Sequence, residues 1–413
     1  MRPFSSLNDI VENGYCLSCG LCTQVVEDGA LTMALNKGGN VRPRASRELT
    51  SAENARIVSI CPGVTMNGPF ADELTAPDPV WGDIRVTYEG WATDDDTRWR
   101  ASAGGVMTAL NQYLLESGRV AFILQNRAAT GDALMSEPVL IRDPAELLTG
   151  SQSRYAPSAP LTAINEALAL NEPFAVSLKP CDIAGVRNLQ RQDRRAAELI
   201  KFTQAMFCGT VPSRETTTKM LARKGYSDAP DTFRWRGDGC PGAARATWKD
   251  GRKATATYQE MWTEARWTTQ FRCKICPDAI GLHADIATGD FWPGGVPTQE
   301  TPGENGIIAH TDIGEEILNA AAAAGYLKLK PTDLATIAGT QPHHVRLRQT
   351  FSARVAGAAV AGAPFPEFAG MATGRCAGQA TADDLAAVFA GTMERVRAGQ
   401  ADEISEFDDW EPT

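Results

Sequence analysis

The fold is decided by residues 101–124, ASAGGVMTALNQYLLESGRVAFIL. Apolar residues in this stretch follow helical spacing, at Val106, Met107, Leu110 and Leu114. Gly118 predicts the end of that helix, and residues 120–124 form a short apolar run typical of a buried strand. Upstream, residues 84–91 alternate β-branched and aromatic side chains and predict another strand. A strand, a loop, a helix and a strand in this order indicate an α/β layer.

Further apolar runs extend this layer at residues 139–141 and 174–178, and helical spacing returns at 382–397. The composition changes on either side of the layer. Before it, the chain is rich in Cys, Gly and Asn and ends in a turn-rich stretch, Pro62 to Pro79, predicted to be a linker. Beyond residue 345 it becomes alanine-rich and then acidic, with an end expected to fray. We therefore expect several structural parts.

The charge balance excludes some classes of function. The chain carries 40 basic and 50 acidic residues, for a formal net charge of −10. Nucleic-acid binding needs a basic field, so this balance argues against it. Charged residues, Gly or Pro interrupt every apolar run before it reaches the length of a membrane span, and the N-terminus lacks the apolar segment of a signal peptide. We expect a cytoplasmic protein that does not associate with membranes.

Ten cysteines are unusual in a cytosolic chain, where disulfides are rare. The first set is CLSCGLC, with Cys16, Cys19 and Cys22 at two-residue spacing, and Cys61 follows before a proline. Three closely spaced thiolates and a distant Cys-Pro are typical of a ferredoxin-type 4Fe-4S site. A zinc site held by four thiolates is the alternative, but zinc favours paired CxxC motifs. The pattern favours the iron–sulfur cluster.

A second set of cysteines is dispersed along the chain, at Cys181, Cys208, Cys273 and Cys276. The CxxC of residues 273–276 needs two further ligands, and the other two cysteines flank predicted strand ends. A lone cysteine is also often a small buried hydrophobic residue, an alternative that is strongest for Cys208 after Met206 and Phe207. From spacing alone the second cluster stays open.

Five motifs, in a fixed order, resemble the beta-subunit family of coenzyme F420 hydrogenases and dehydrogenases. They are RASAGGVMTALNQYLLESG, LKPCDIAGVRNLQ, MFCGT, RWRGDGCPG and RCKICPDAIGLHADIATGDFW. The family includes formate dehydrogenase beta subunits and 7-hydroxymethyl chlorophyll a reductase. The resemblance implies a mixed α/β (α+β) fold in four parts: a small ferredoxin-like 4Fe-4S domain with its linker (1–80), the family's N-terminal α/β domain (81–174), its C-terminal domain with the second cluster (175–345), and a helical, acidic C-terminal extension (346–413).

The resemblance also implies FAD and two 4Fe-4S clusters, and it raises the second cysteine set to cluster ligands. It assigns cofactor contacts to Ser102, Gly104, Gly105, Ser153, Arg154, Tyr155, Lys179, Asp285 and Asp290. The chain departs from the family at Cys240, where Trp is usual, and we interpret Cys240 and Cys376 as spare thiols. The spacing of the N-terminal cysteines departs from the chlorophyll reductases, which puts their substrate in doubt here.

The residues allow this flavin site but leave other interpretations open. Gly104 and Gly105 open the predicted helix, whose free amides can hold a pyrophosphate, although Gly-Gly before a helix is more often a plain turn. Tyr155 could stack on a flavin and Arg154 could stabilise an anionic reduced flavin, or both could lie on a surface loop. His283 is either a proton donor near the flavin or a structural histidine.

These observations predict an FAD- and iron–sulfur-dependent oxidoreductase. Ferredoxin or a similar acidic redox protein would supply electrons, and the clusters and flavin would deliver them to a small organic substrate. The alternative is an electron-transfer (beta) subunit of a larger hydrogenase or dehydrogenase complex, with coenzyme F420 or another protein as its partner. A basic group is either a docking patch or a solvated helix face, and it comprises Arg187, Arg191, Arg194 and Arg195. The substrate, the direction of electron flow and a homo-oligomeric state stay open.

Overall fold

A computed structural model of the chain describes residues 2–69, 78–264, 267–404 and 406–407. The helices are α1 (Leu7–Glu12), α2 (Ser51–Ile60), α3 (Asp95–Arg100), α4 (Val106–Glu116), α5 (Ile164–Ala169), α6 (Pro180–Gln190), α7 (Arg194–Leu199), α8 (Arg214–Arg223), α9 (Tyr258–Glu264), α10 (Phe271–Lys274), α11 (Asp312–Ala323), α12 (Leu334–Thr340), α13 (Pro342–Gln349), α14 (Phe351–Val360), α15 (Thr373–Ala377) and α16 (Ala382–Arg397). Short 3-10 helices lie at Leu21–Gln24, Pro144–Gly150, Pro160–Ala163 and Pro293–Gly295. Within these described ranges, none of the helices has the length and apolar character needed to cross a membrane.

The strands are β1 (Leu31–Leu35), β2 (Val41–Ala45), β3 (Thr65–Asn67), β4 (Val86–Ala92), β5 (Phe122–Ala129), β6 (Asp132–Ile141), β7 (Phe174–Leu178), β8 (Ile200–Met206), β9 (Thr232–Arg234), β10 (Ala244–Thr247), β11 (Lys253–Ala256), β12 (Ile286–Asp290), β13 (Asn305–Ala309), β14 (Leu327–Pro331) and β15 (Glu367–Ala369). Eight of them form a mixed sheet in the order β14-β4-β13-β12-β8-β7-β5-β6. The central neighbours β5, β7, β8 and β12 run parallel, and the outer pairings are antiparallel. Every residue of β7 is buried, as expected for a strand covered on both faces.

The strand–loop–helix–strand unit predicted from residues 84–124 is confirmed as β4, α4 and β5. The helix ends where predicted because Gly118 has a positive φ of 69°, and its amide donates to the carbonyl of Leu115. The apolar run at residues 174–178 is β7, and the predicted helix at 382–397 is α16. The mixed α/β fold therefore follows from local patterns.

The terminal segments pack onto this layer. β1 and β2 form an antiparallel hairpin, and β3 pairs in parallel with β15 near the other end of the chain. Phe4 and Leu7 share one buried core with Phe122 and Val176 of the central sheet. β4, from residues 81–174, lies between β14 and β13, from residues 175–345, so the two predicted parts share one sheet. Parts of the predicted linker and of the acidic end lie outside the described residues.

Candidate functional site

Three neighbouring parallel strands bring predicted site residues to one edge of the sheet. Lys179 follows β7, Cys208 follows β8, and Asp290 ends β12. Helix α6 begins directly after Lys179, and Cys181 lies in its first turn. β7 pairs with β8 and β8 pairs with β12, all in parallel. Because the carboxyl ends of parallel strands share an edge, residues far apart in sequence meet there.

The N-terminal cysteines form one group, with Cys16 and Cys19 buried and Cys22 and Cys61 half-buried. Gly20 has a positive φ of 82°, which lets the chain curl within the CLSCGLC loop, and Cys61 caps the carboxyl end of α2. Burial raises the pKa of Cys19 well above its ordinary value, and the nearby thiols of Cys61 and Cys16 raise it further. Burial and the other thiols of the set do the same to the pKa of Cys22. The structure thus brings the four predicted ligands together.

The dispersed cysteines also come together. Burial raises the pKa of Cys208, and the nearby thiols of Cys273 and Cys276 raise it further. Burial raises the pKa of Cys181 well above its ordinary value, and Cys208 and Cys276 add to the rise. The amide of Cys208 donates to the carbonyl of Ala279 at 2.8 Å, which ties the strand end to the segment that carries the CxxC. Four thiols from three separate segments therefore form a second set.

A buried ion pair lies next to both cysteine sets. The Lys179 Nζ atom lies 2.6 Å from each carboxylate oxygen of Asp182, whose side chain is fully buried. Burial lowers the pKa of Lys179, but the charges of Asp182 and Cys181 outweigh this effect and raise the pKa above its ordinary value. Asp182 also contributes to the raised pKa values of Cys19 and Cys181. Lys179, predicted to contact a cofactor, is paired here with a carboxylate.

The spacing of the thiols bears on the choice between zinc and an iron–sulfur cluster. None of the ten cysteines, all of which lie in the described ranges, forms a disulfide. In the part of the chain that the structure describes, no three His, Cys, Asp or Glu side chains converge on the position of a single metal ion. A zinc ion needs its thiolates at about 2.3 Å from one point, whereas each cysteine of a 4Fe-4S site binds a different iron. The CxxCxxC motif at residues 16–22, followed by Cys61, favours the cluster.

Four of the predicted flavin contacts lie in one hydrogen-bond network centred on Arg236. The Arg236 guanidinium donates to both carboxylate oxygens of Asp290 at 2.8 and 3.0 Å. It also donates to the Ser102 carbonyl at 2.6 Å and to the Tyr155 hydroxyl at 3.5 Å. The amide of Ser153 donates to the Ser102 Oγ atom at 2.6 Å. The predicted contacts at Ser102, Ser153, Tyr155 and Asp290 therefore form one site.

Arg154 lies beside this network and is held by its own partners. Its guanidinium donates to the hydroxyl of Ser136 at 2.8 Å and lies 4.9 Å from the ring centre of Trp235. Burial lowers the pKa of Arg154 to about 10. Its Nη1 atom is buried and has no hydrogen-bond partner among the described residues. Arg154 is thus a half-buried cation with partners of its own.

Aromatic side chains surround the network and define an aromatic cluster: Tyr155, Tyr258, Trp262, Trp267 and Trp292. The rings of Trp262 and Trp267 stack 4.4 Å apart, and both meet Tyr155 edge-on. The Trp262 ring would lie 3.6 Å from a Cβ atom at Gly209, so the cluster reaches the loop that follows Cys208. The second cysteine set and the aromatic cluster therefore adjoin.

Several buried polar atoms near this junction lack a hydrogen-bond partner within the described structure. They are Gln152 Oε1, Arg154 Nη1, Thr210 Oγ1 and Trp262 Nε1. They come from the loop before Tyr155, the loop after Cys208 and helix α9. A buried polar atom without a partner costs about 1–3 kcal/mol, so such a group is unusual unless a bound molecule completes it.

The glycine loop before α4, residues 102–105, is packed against the protein's own chain. A Cβ atom at Gly104 would lie 2.7 Å from both Asn305 Oδ1 and the Gly90 carbonyl. Gly105 has a φ of 77°, and a Cβ there would lie 3.1 Å from the Thr97 carbonyl. The first amide of the helix, at Val106, donates to Asn305 Oδ1 at 3.3 Å. Packing alone therefore explains both glycines, without a phosphate.

His283 and Asp285 stand apart from the network around Arg236. The His283 ring is 2% exposed, with Nδ1 at 2.8 Å from Asp278 Oδ2 and Nε2 at 3.2 Å from the Asn67 carbonyl. Asp285 lies before β12, at the opposite end from Asp290, and accepts the amide and hydroxyl of Thr203 at 2.8 Å. This geometry favours a structural histidine over a proton donor.

The sequence reasoning missed the most connected residue of the site. Arg236 belongs to the motif RWRGDGCPG, which indicates the family resemblance but no specific contact for this arginine. A Trp- and Arg-rich stretch is the signal that could have found it, because buried arginines pair with carboxylates and lie over aromatic rings. Arg236 does both, over Tyr258 and Trp292 at 5.3 and 4.9 Å.

Comparison with known proteins supports the same picture. Two family models described as coenzyme F420 hydrogenase/dehydrogenase, beta subunit, match the chain: the N-terminal model over residues 87–165 and the C-terminal model over 172–334. The coenzyme F420-dependent sulfite reductase of Methanocaldococcus jannaschii is 26% identical over 332 residues, which are 76% of this chain and 47% of that protein. The F420-dependent formate dehydrogenase 1 subunit beta of Methanococcus maripaludis is 24% identical, over 59% of this chain and 61% of its own.

The coenzyme F420 hydrogenase subunit beta of Methanothermobacter thermautotrophicus is 24% identical over 62% of this chain and 87% of its own length. A chain of the F420-reducing NiFe hydrogenase complex from Methanosarcina barkeri superimposes with a TM-score of 0.50 at 22% identity, covering 66% of this chain and 95% of that one. This likeness shows the fold. The chain spans about half of the sulfite reductase and about three fifths of the formate dehydrogenase subunit.

Proposed function

Since the chain belongs to the coenzyme F420 hydrogenase/dehydrogenase beta-subunit family, we propose that it is an iron–sulfur flavoprotein that transfers electrons as part of a larger oxidoreductase assembly. The observation that carries the proposal is the continuity of three features. The N-terminal cysteine set, the second cysteine set and the aromatic cluster adjoin one another within the molecule. Electron transfer between bound groups needs such a continuous path.

The cysteine sets suit iron–sulfur clusters because their thiols are buried and close together. Burial raises the pKa of Cys61 to about 12 and that of Cys276 to about 11. Such thiols stay protonated near neutral pH unless a metal displaces the protons. The N-terminal set (Cys16, Cys19, Cys22, Cys61) and the second set (Cys181, Cys208, Cys273, Cys276) would each hold one cluster.

The aromatic cluster suits a flavin because buried polar atoms within it and beside it lack hydrogen-bond partners among the described residues. Arg154 Nη1 and Trp262 Nε1 can donate hydrogen bonds, and the Thr210 hydroxyl can do the same. The Arg236–Asp290 pair fixes Tyr155 beside them. When bound, FAD would exchange single electrons with the clusters and electron pairs with a substrate, which is the chemistry of the cofactor itself. The chain's residues would bind and orient it.

The names of the relatives suggest that this chain acts together with a partner protein. Two of them are named as beta subunits, of a formate dehydrogenase and of a hydrogenase, and the names of all three include coenzyme F420. We therefore propose coenzyme F420 or a catalytic subunit as the redox partner of this chain. The free thiols are consistent with a reducing compartment, and we place the protein in the cytoplasm.

A second candidate function is a ferredoxin-dependent reductase that acts on a small organic substrate by itself. The observation that favours it is the docking of the N-terminal segment on the body, where the amide of Leu161 donates to the Cys19 carbonyl at 2.8 Å. Such a segment could accept electrons without a second subunit. The basic group between residues 187 and 195 gives this candidate little support. Arg194 pairs with Glu198, and Arg195 pairs with Asp193, so their charges are largely neutralised.

Anaerobic purification tests the proposal and separates the two candidates. We expect about eight iron, eight sulfide and one FAD per chain. Bound chromophores should be bleached by reduced coenzyme F420, and a catalytic subunit should copurify from the native host. Bleaching by reduced ferredoxin alone, with no copurifying subunit, would favour the stand-alone reductase. A chain that binds zinc and no iron after reconstitution would exclude both.

A further inference from the structure

Arg272 lies buried between the two cysteine sets. Its residue is 1% exposed. The Nε atom donates to the Gly63 carbonyl at 2.7 Å, and Nη2 donates to the Pro62 carbonyl at 3.4 Å. On the other side, Nη1 donates to the Ile275 carbonyl at 3.0 Å. One guanidinium therefore joins the loop that follows Cys61 to the turn that carries Cys276.

The charge of Arg272 has no acidic partner among the described residues, where its hydrogen bonds go to backbone carbonyls. Arg42 offers a contrast. It is also buried and donates to Ser18 within the N-terminal loop, but Glu403 neutralises it at 2.5 Å. A buried charge without an acidic partner needs compensation from nearby groups, one of which is the Phe368 ring at 4.9 Å from the Arg272 guanidinium.

The carbonyls that Arg272 binds lie within two residues of a cysteine of each set. Cys61, of the N-terminal set, precedes the Pro62 and Gly63 carbonyls. Cys276, of the second set, follows the Ile275 carbonyl. When both sets carry ionised cysteines, Arg272 faces negative charge on two sides.

We propose that Arg272 is a positioning residue shared by the two cysteine sets, which fixes their loops against each other and raises the reduction potentials of both clusters. This inference rests on the proposed function. Reduction adds negative charge to a cluster, and a nearby cation stabilises the reduced form more than the oxidised form.

The test compares Arg272→Gln and Arg272→Lys with Arg348→Gln in the full chain. Arg348 is a matched control because it is 0% exposed and also binds carbonyls, those of Pro79, Val80, Met371 and Pro277. Of these, only Pro277 adjoins a cysteine, Cys276 of the second set. Iron, sulfide and flavin are measured first, and an anaerobic redox titration followed by electron paramagnetic resonance then gives the potential of each cluster.

We expect Arg272→Gln to keep its iron and to lower the potentials of both clusters. Arg348→Gln should leave the potential of the N-terminal cluster unchanged, and Arg272→Lys should lie closer to the unmodified protein than Arg272→Gln does. Unchanged potentials in iron-loaded Arg272→Gln, or a shift in one cluster alone, would overturn the inference. If Arg272→Gln cannot hold iron, Arg272→Lys decides: unchanged potentials support the role of the charge, and lowered potentials in both clusters refute it. Absence of iron from the unmodified protein would instead refute the proposed function.

Discussion

The two cysteine sets, together called the cysteine edge, and the glycine loop before α4 both carry sequence patterns typical of cofactor contacts. They differ in what surrounds them. At the edge, eight cysteines, two buried and six half-buried, gather in two sets without forming disulfides. In the glycine loop, the space left by the missing side chains is filled by Asn305, Gly90 and Thr97. The first region brings thiols together without disulfides, whereas the second is filled by the protein itself.

This difference shows how specifically each kind of sequence pattern indicates a cofactor site. A glycine is required wherever the backbone is crowded or has a positive φ, whether the neighbour is a phosphate or the protein itself. A set of buried thiols has fewer explanations, because in a reducing compartment a metal is the usual reason to gather them. Cysteine spacing therefore predicts chemistry more specifically than glycine spacing does.

Cysteine substitution should give the largest effect and tests the first half of the comparison. We expect Cys19→Ser to lower the iron content from about eight to about four per chain, because it removes one ligand of the N-terminal cluster. Cys208→Ser should remove the other half and leave the N-terminal cluster in place. Iron and sulfide analysis after anaerobic reconstitution, with the electron paramagnetic resonance spectrum of the remaining cluster, measures both losses.

Cys376→Ser is the matched control for these substitutions. Cys376 is also fully buried, but its thiol donates to the Pro79 carbonyl and belongs to neither set. Its substitution should leave the iron content unchanged. Full iron content in both Cys19→Ser and Cys208→Ser would show that neither cysteine is a required cluster ligand and would remove the distinction between the cysteine edge and the glycine loop.

Substitution of Arg236 should give a smaller effect, a loss of affinity for FAD, and it tests where the flavin binds. Arg236→Met removes the donor that holds Ser102, Tyr155 and Asp290 in place. Hydrogen bonds to charged groups contribute about 1.5–3 kcal/mol, so we expect the Kd for FAD to rise about tenfold or more. Flavin fluorescence during titration of the apoprotein measures this change.

Arg245→Met is the control for this substitution, because Arg245 lies in the neighbouring strand β10 and pairs with Asp238 on a more exposed surface. It should leave the affinity for FAD unchanged. An equal loss of FAD affinity in both variants would indicate a general disturbance of this part of the fold and not a flavin site at the aromatic cluster.

Much of this architecture could be predicted from local patterns. The helical spacing that ends at Gly118 gave α4, and the continuous apolar run at residues 174–178 gave the fully buried β7. The network around Arg236 could not be predicted in this way. It joins Ser102, Tyr155 and Asp290 across 188 residues of sequence, and only the pairing of the strands sets those distances. Long-range polar contacts leave no periodic signal in a single sequence.

The smallest expected effect concerns the glycine loop itself, and it tests whether the loop is packing or a phosphate site. Gly105 and Gly118 flank the same helix with φ angles of 77° and 69°. An alanine in the left-handed region costs about 1–2 kcal/mol, so Gly118→Ala, which meets nothing within 4 Å, should lose about 1 kcal/mol of unfolding free energy. Gly105→Ala should lose about 1 kcal/mol more, because its Cβ would meet the Thr97 carbonyl at 3.1 Å.

Urea unfolding measures these two losses, and acid extraction measures the flavin that each folded variant retains. If the loop is packing, Gly105→Ala is the less stable variant, and both variants keep the flavin content of the unmodified protein. Gly105→Ala with the stability of Gly118→Ala and little extractable FAD would mean that the loop approaches a pyrophosphate, and the glycine loop would then join the cysteine edge as a region that a bound cofactor completes.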